Sequence, residues 1–205
     1  MDYEEDELST IDDAKNIRRS SQHLLRMINE VLDLSKMDVG KLDVYNEKLD
    51  IVKAVENAVI ICEVTAKEHN NQIEVNIEPS LKIIRTDLTK LSQCLINLIG
   101  NACKFTKDGK VKVHVYSEKN ELGTRIYFSI KDDGIGIAQD KLDHIFEPFS
   151  QGDSSITRKY GGTGLGLTVT RKIIKVLGGD IVVKSRMDKG SEFKFWLDAD
   201  INTPV

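Results

Sequence analysis

The run Gly161-Gly162-Thr163-Gly164-Leu165-Gly166-Leu167 stands directly before an apolar three-and-four spacing over Leu165–Leu177. A glycine-rich loop that opens a helix lets backbone N–H groups close on anionic oxygens at the helix N-terminus, so the run is a natural phosphate cradle. Two common cradles are excluded. The pattern GxxxxGK[ST] is absent, and in a GxGxxG pattern begun at Gly164 the third glycine would fall on Val169. The preceding segment, Ile156–Tyr160, is polar and basic rather than a buried strand. Neither a P-loop nor a dinucleotide fold fits.

The rest of the chain supplies the scaffold. Ser9 to Lys36 reads as one amphipathic helix, with an N-terminal capping signal from Ser9 and Thr10 toward Asp12 and Asp13. Its stripe of Ile17, Leu24, Leu25, Ile28, Val31, Leu32 and Leu34 needs a partner helix, and Gly40 marks its break. Beyond it, Lys41–Leu49 reads as a strand and Ile51–Glu68 as a helix. Gln72–Ile77 and Leu81–Arg85 alternate as strands, with Pro79 and Ser80 turning between them. Leu88–Phe105 is a strong helix. Lys110–Tyr116 and Arg125–Lys131 read as strands joined by a Ser117–Gly123 turn. Leu165–Leu177 stops at Gly178-Gly179, and Ile181–Ser185 and Glu192–Leu197 close the chain around the Lys189–Gly190 turn. Helices alternating with mostly hairpin-linked strands give an α+β, two-layer α/β sandwich, with one sheet carrying its helices on one face. The expected division is an amphipathic helix over 1–40 and one domain over 41–205.

Two further features accompany the glycine run. Asp132-Asp133-Gly134-Ile135-Gly136-Ile137 follows a strand directly, and Gln93, Asn97, Asn101 and Lys104 interrupt the apolar face of the Leu88–Phe105 helix. Asn97 and Asn101 are four apart and leave one helix face, with Lys104 three further on. An amide oxygen is a hard, neutral ligand suited to Mg²⁺, which keeps waters and phosphate oxygens as its other ligands. Alone, the pair reads as solvent-facing surface. Beside two glycine-rich loops and a basic connecting segment, it reads as a metal and phosphate face.

Asn97-Leu-Ile-Gly-Asn101-Ala-Cys-Lys104-Phe105-Thr106 resembles the N box of sensor histidine kinases. Asp132–Ile137 looks like their first glycine box, Ile145-Phe-Glu-Pro-Phe149 their F box, and Gly161–Leu167 their second glycine box. Arg19–Lys36 is similar to the second helix of the family's dimerisation hairpin. Any one box is a weak signal, and four in register are a strong one. The resemblance implies a Bergerat-type ATP-binding fold, of the gyrase and chaperone kind, behind a partial dimerisation and phosphotransfer hairpin.

By that resemblance the cofactors are ATP and Mg²⁺. Asp132 accepts from the adenine amino group; a carboxylate is an acceptor alone, so a guanine keto oxygen would meet repulsion there. Asn101 holds Mg²⁺ with Asn97 beside it. Lys104 contacts phosphate, and Arg158 stabilises charge on the transferred group. The nucleotide also meets Gly134, Gly136, Ile137, Phe149, Gly162, Thr163, Gly164, Leu165, Gly166 and Leu167. Phe149–Tyr160 reads as a lid over it, anchored by Phe146 and Phe149. For Asp132 the competing reading is a turn residue capping its own backbone, and for Arg158 a solvated loop charge.

The family's acceptor is a histidine followed by an acidic residue, and none of the four histidines here, His23, His69, His114 and His144, has that neighbour. His23 is read as a flanking surface residue, and the acceptor helix is expected outside this chain. The implied partners are that histidine-bearing helix, a response-regulator receiver domain and a second copy in the full-length protein. Asn97 is a poor base for activating water, so steady ATP hydrolysis of the gyrase type is expected to be slow. A serine kinase of the same fold and a non-catalytic dimerisation module are the other readings. The net charge of −4 argues against nucleic acid as partner. Cys62, Cys94 and Cys103 lie in apolar helical patterns with no CxxC pair, which indicates buried thiols in a reducing, cytoplasmic compartment. No apolar run is long enough to span a bilayer, so membrane attachment is expected only through segments outside the chain.

Overall fold

The computed structural model describes residues 42–120, 123–150 and 164–199, together with positions between 13 and 37. The chain divides into two compact units, Met1–Leu42 and Asp43–Val205. In the first, every described position from Asp13 to Met37 is helical. Among the described residues there, Ile17, Leu24, Leu25, Ile28, Val31 and Leu32 are exposed and Leu34 is half-buried. The capping signal at Ser9 and Thr10 and the break at Gly40 lie outside the described residues.

The second unit opens with β1 (Glu47–Asp50), shorter than the expected Lys41–Leu49 strand, and α1 (Ile51–Glu68). Asp50 caps α1 by accepting from the amides of Val52 and Lys53. β2 (Gln72–Ile77) and β3 (Ile83–Thr86) follow, then α2 (Leu88–Phe105). Asp87 caps α2 by accepting from Lys90, and its second oxygen accepts from the Tyr45 amide. β4 (Lys110–Asn120) and β5 (Gly123–Asp132) are long antiparallel partners. A 3₁₀ turn at Gln139–Lys141, α3 (Gly166–Val176), β6 (Asp180–Ser185) and β7 (Ser191–Ala199) complete it.

The main sheet has five strands in the order β2-β4-β5-β7-β6, with β2 parallel to β4 and the other pairs antiparallel. The two-layer α+β expectation holds, and two details differ. β2 and β3 do not form a hairpin; β3 pairs with β1 in a separate two-stranded sheet. β2 instead reaches β4 across the whole of α2, a pairing that α2 permits by crossing over the sheet. The expected Ser117–Gly123 turn is also largely strand, because the ladder continues through Glu118↔Arg125 and Lys119↔Thr124 to Asn120↔Gly123.

Alternation sorts the sheet's two faces. Val111, Val113, Val115, Ile126, Phe128, Ile130, Phe193, Phe195 and Leu197 point to the helices and are buried. Phe128 and Phe195 stack across β5 and β7 with centroids 4.5 Å apart. From the helix side come Ile51, Val55, Leu91, Leu95, Leu98, Ile99 and Ile173, all essentially without exposed surface. Each such side chain contributes about 1.5–3 kcal/mol relative to an exposed one. The opposite face carries an aromatic row: His114, Tyr116, Tyr127 and Trp196, with adjacent centroids 4.9, 5.2 and 6.2 Å apart. Arg125 lies over Trp196, and Lys194 over Tyr127.

All three cysteines are free and buried. Burial pushes the Cys62 thiol up to about 11 and Cys103 up to about 12, and raises Cys94 as well. They are packing groups, as expected. His69 caps the end of α1, with Nδ1 3.0 Å from the Thr65 carbonyl, and His144 pairs with Glu147 on the surface. Among the described residues, no helix is long and apolar enough to cross a membrane.

Candidate nucleotide site

The C-terminal end of β5 delivers Asp132 into the interior, where it is 5% exposed. Its Oδ1 accepts two backbone hydrogen bonds, from Gly134 at 2.9 Å and from Ser191 at 3.2 Å. Among the described residues Oδ2 accepts none, which leaves it as an acceptor for an outside donor. Desolvation raises the carboxyl above the ordinary aspartate range, and the two amide bonds offset part of that rise. A turn residue capping its own backbone accounts for the Gly134 bond. It does not account for the Ser191 bond, which ties the carboxylate to β7, 59 residues away.

The loop after Asp132 is held from three sides. Asp133 N–H donates to Lys110, Ile135 N–H donates to the Phe105 carbonyl at the end of α2, and Ile137 N–H donates to Ser185 Oγ at 2.7 Å. In return, Asp188 N–H donates to the Ile135 carbonyl at 2.8 Å. Gly136 has φ +69°, and a Cβ there would strike the Arg186 carbonyl, so the β6–β7 turn presses directly on this loop.

On α2, Gln93, Asn97, Asn101 and Lys104 are all half-buried, not the solvent-facing surface that the Asn pair alone suggests. Asn97 Nδ2 donates to the Thr170 hydroxyl of α3 at 2.9 Å. Its Oδ1 lies against Gly166, where an added Cβ would approach it to 2.7 Å. Asn97 therefore joins the two helices at the first turn of α3. Lys104 Nζ lies over the Phe105 ring, 5.2 Å from its centroid.

α1 and α2 both take an aspartate side-chain cap, whereas the α3 N-cap, Leu165, provides no side-chain cap. That leaves its first-turn amides suited to an anion. The Thr168 hydroxyl in that turn is buried without a partner. Gly164 precedes the turn with φ +72°, and its carbonyl accepts from the Phe149 N–H at 3.1 Å.

That backbone bond holds Phe149, while the lid that Phe146 and Phe149 are expected to anchor lies, from residue 151 on, outside the described residues. The ring is 70% exposed, on a residue with φ +61°. Phe146, half-buried beneath Arg171 at 5.0 Å, is the packed aromatic of the pair. Arg158, Gly162 and Thr163 lie outside the described residues, as do the segment 151–163 and His23.

Asp132, Gly134, Gly136 and Ile137 thus surround the end of β5, and Asn97, Gly164, Leu165, Gly166 and Leu167 surround the start of α3. α2 joins the two groups through Phe105 and Asn97. Ser185, Ser191 and Thr170 belong to this framework and were not read from the sequence. They are ordinary hydroxyl residues at unremarkable positions, Ser191 lying just after the Lys189–Gly190 turn.

The class that this sandwich and its two glycine loops define is a nucleotide-binding ATPase-type domain. The match to the family described as histidine kinase-, DNA gyrase B-, and HSP90-like ATPase covers residues 86–201, and the chain belongs to that family. It is 39% identical over 188 residues to the autoinducer 2 sensor kinase/phosphatase LuxQ of Vibrio parahaemolyticus, covering 86% of this chain and 21% of the relative. It is 35% identical over 187 residues to hybrid signal transduction histidine kinase B of Dictyostelium discoideum, covering 90% of this chain and 10% of the relative. The chain therefore spans a minor part of the length of these relatives. A crystal structure of full-length ShkA in complex with AMPPNP superposes with a TM-score of 0.79 at 29% identity, covering 91% of this chain and 38% of that one. The domain is an ATP-binding catalytic domain of the sensor histidine kinase kind.

Proposed function

We propose that this domain binds Mg²⁺-ATP and transfers the γ-phosphoryl group to a histidine on a dimerisation helix outside this chain. A response-regulator receiver domain is the onward acceptor, and the domain works in the cytoplasm as part of a homodimer. The observation that carries the reading is Asp132: a buried carboxylate whose Oδ1 is fixed by two amides while Oδ2 stays available. An acceptor held that rigidly suits the exocyclic amino group of adenine and disfavours a keto oxygen.

The residues present fit the nucleotide and its metal. Oδ2 of Asp132 is placed for the base, and the α3 turn at Gly164, Leu165, Gly166 and Leu167, whose N-cap makes no side-chain cap hydrogen bond, suits phosphate oxygens. Asn101, half-buried on α2, supplies an amide oxygen to Mg²⁺. Among the described residues no group of three or more His, Cys, Asp or Glu is placed to hold a metal ion, which fits a metal bound mainly by phosphates and water. When bound, the metal neutralises charge developing on the phosphates. Asn97 holds the Gly166 turn against α2 beside it, Lys104 adds positive charge, and Arg158 is assigned to the charge on the transferred phosphoryl group.

The test is calorimetry with ATP and magnesium, followed by incubation with γ-labelled ATP. Binding is expected, with no label on this chain alone and phosphotransfer to a supplied acceptor helix. No binding at millimolar nucleotide refutes the reading, and an acid-labile label on His23 refutes the assignment of an outside acceptor. Rapid steady phosphate release would favour an ATPase of the same fold instead.

A further inference from the structure

The β6–β7 hairpin end carries a small hydroxyl network that stands behind the Asp132 carboxylate and the glycine loop. Ser185 Oγ makes three contacts: the Ile137 N–H at 2.7 Å, the Gly190 carbonyl at 2.9 Å and Ser191 Oγ at 2.9 Å. Ser185 and Ser191 are also register partners across the two strands. Ser191 N–H in turn donates to Asp132 Oδ1. A hydroxyl has one proton and two lone pairs. With its proton on the Gly190 carbonyl, Ser185 accepts from Ile137 and from Ser191, and its capacity is used completely.

The network converges on two elements of the candidate site. One arm fixes Ile137, the last residue of the glycine loop. The other fixes the turn at Gly190, where φ is +84° and an added Cβ would strike the Asp132 carbonyl. Ser191, which follows that turn, is 8% exposed, so its amide is delivered to Asp132 from a buried position. A displacement of Ser185 would therefore move the loop and the carboxylate together.

We propose that Ser185 is a positioning residue for purine recognition: through Ile137 and Ser191 it sets the glycine loop and the Asp132 carboxylate in register. It touches no substrate itself. This rests on the nucleotide reading of the site, and it adds a purine-selecting function to a hairpin far from Asp132 in sequence. A residue that merely braced the hairpin would lower stability and leave the preference between purines unchanged. A positioning residue moves the preference.

The experiment compares wild type with Ser185→Ala, Ser185→Cys and Ser185→Thr. Dissociation constants for ATP and GTP come from calorimetry, melting from circular dichroism, and exchange of the Ile137 amide from NMR. Ser185→Ala is expected to weaken ATP on the order of tenfold, as for loss of a satisfied hydroxyl in a polar network. It should also narrow the ATP-over-GTP ratio and speed exchange at Ile137. Ser185→Thr keeps the hydroxyl and restores all three readouts. If Ser185→Ala does not fold, Ser185→Cys, of similar volume and weaker hydrogen bonding, carries the comparison. A folded Ala or Cys variant with unchanged ATP affinity and purine ratio overturns the proposal while leaving the nucleotide reading intact. Wild type that binds neither nucleotide overturns both.

Discussion

Asp132→Asn separates recognition from folding. In the native site both backbone amides, from Gly134 and Ser191, go to Oδ1. An asparagine can accept only through its carbonyl oxygen, so that atom takes the Oδ1 position and the NH₂ group takes the place of Oδ2. A donor would then face the purine amino group. Losing a hydrogen bond to a charged acceptor costs about 1.5–3 kcal/mol, which corresponds to a Kd for ATP raised roughly 10- to 150-fold. GTP, with a keto oxygen at that position, should gain. The fold should not suffer. Burial raises the Asp132 carboxyl, so the folded state holds the proton more tightly than the unfolded chain does. Its ionisation therefore weakens the fold at neutral pH, and stability from this group grows as pH falls through the raised folded value. Removing the charge leaves the melting temperature at pH 7 unchanged or higher. In the wild type, ATP affinity should begin to fall at a higher pH than an ordinary aspartate would give, because protonation spoils the acceptor. The asparagine variant should lack that step. Calorimetry across pH and thermal melts of both proteins decide it. Unchanged ATP affinity in a folded variant, or an affinity loss tracking a large drop in melting temperature, would refute the reasoning.

Asn101→Ala should erase the part of ATP affinity that magnesium adds, so titrations with magnesium and with chelator give one Kd; a persisting magnesium dependence removes Asn101 from the metal site. Thr170→Val takes away the acceptor for Asn97 Nδ2 and leaves that half-buried amide unpaired, at a cost of about 1–2 kcal/mol. In a unit of this size the melting temperature should fall by about 2–8 °C, and Thr170→Ser should restore it; an unchanged melt in the valine variant shows that the bond contributes nothing.

Helical period was enough to place α1 and α2 residue for residue, because both bury a broad apolar stripe that begins behind an aspartate N-cap. The strand pairings were less legible. β2 and β3 are separated by a short turn and look like a hairpin, yet β2 joins β4 in parallel and β3 turns to β1. Nothing local encodes that choice; a parallel β2–β4 pair needs a long crossover, which the segment through β3 and α2 supplies. The polar ends of β4 and β5 were read as a turn because side-chain polarity says little about backbone pairing at the outer end of a ladder. In the site, the glycine loops and the polar stripe of α2 were visible as motifs. Thr170, Ser185 and Ser191 were not. Their partners lie 73, 48 and 59 residues away in sequence, so their positions become meaningful only once α2, β5 and β7 are side by side.

The aromatic row on the outer face of the sheet has a practical consequence. The sequence holds one tryptophan, and Trp196 alternates with the buried Phe195 and Leu197, so its indole is turned away from the helices. Its emission is coupled to Tyr127 and Arg125 across β5 and β7 and is insulated by the sheet from Asn97 and the start of α3. Intrinsic fluorescence of this chain is thereby a gauge of whether the five-stranded ladder is intact. It should stay nearly silent while ligand loads on the other side of the sheet.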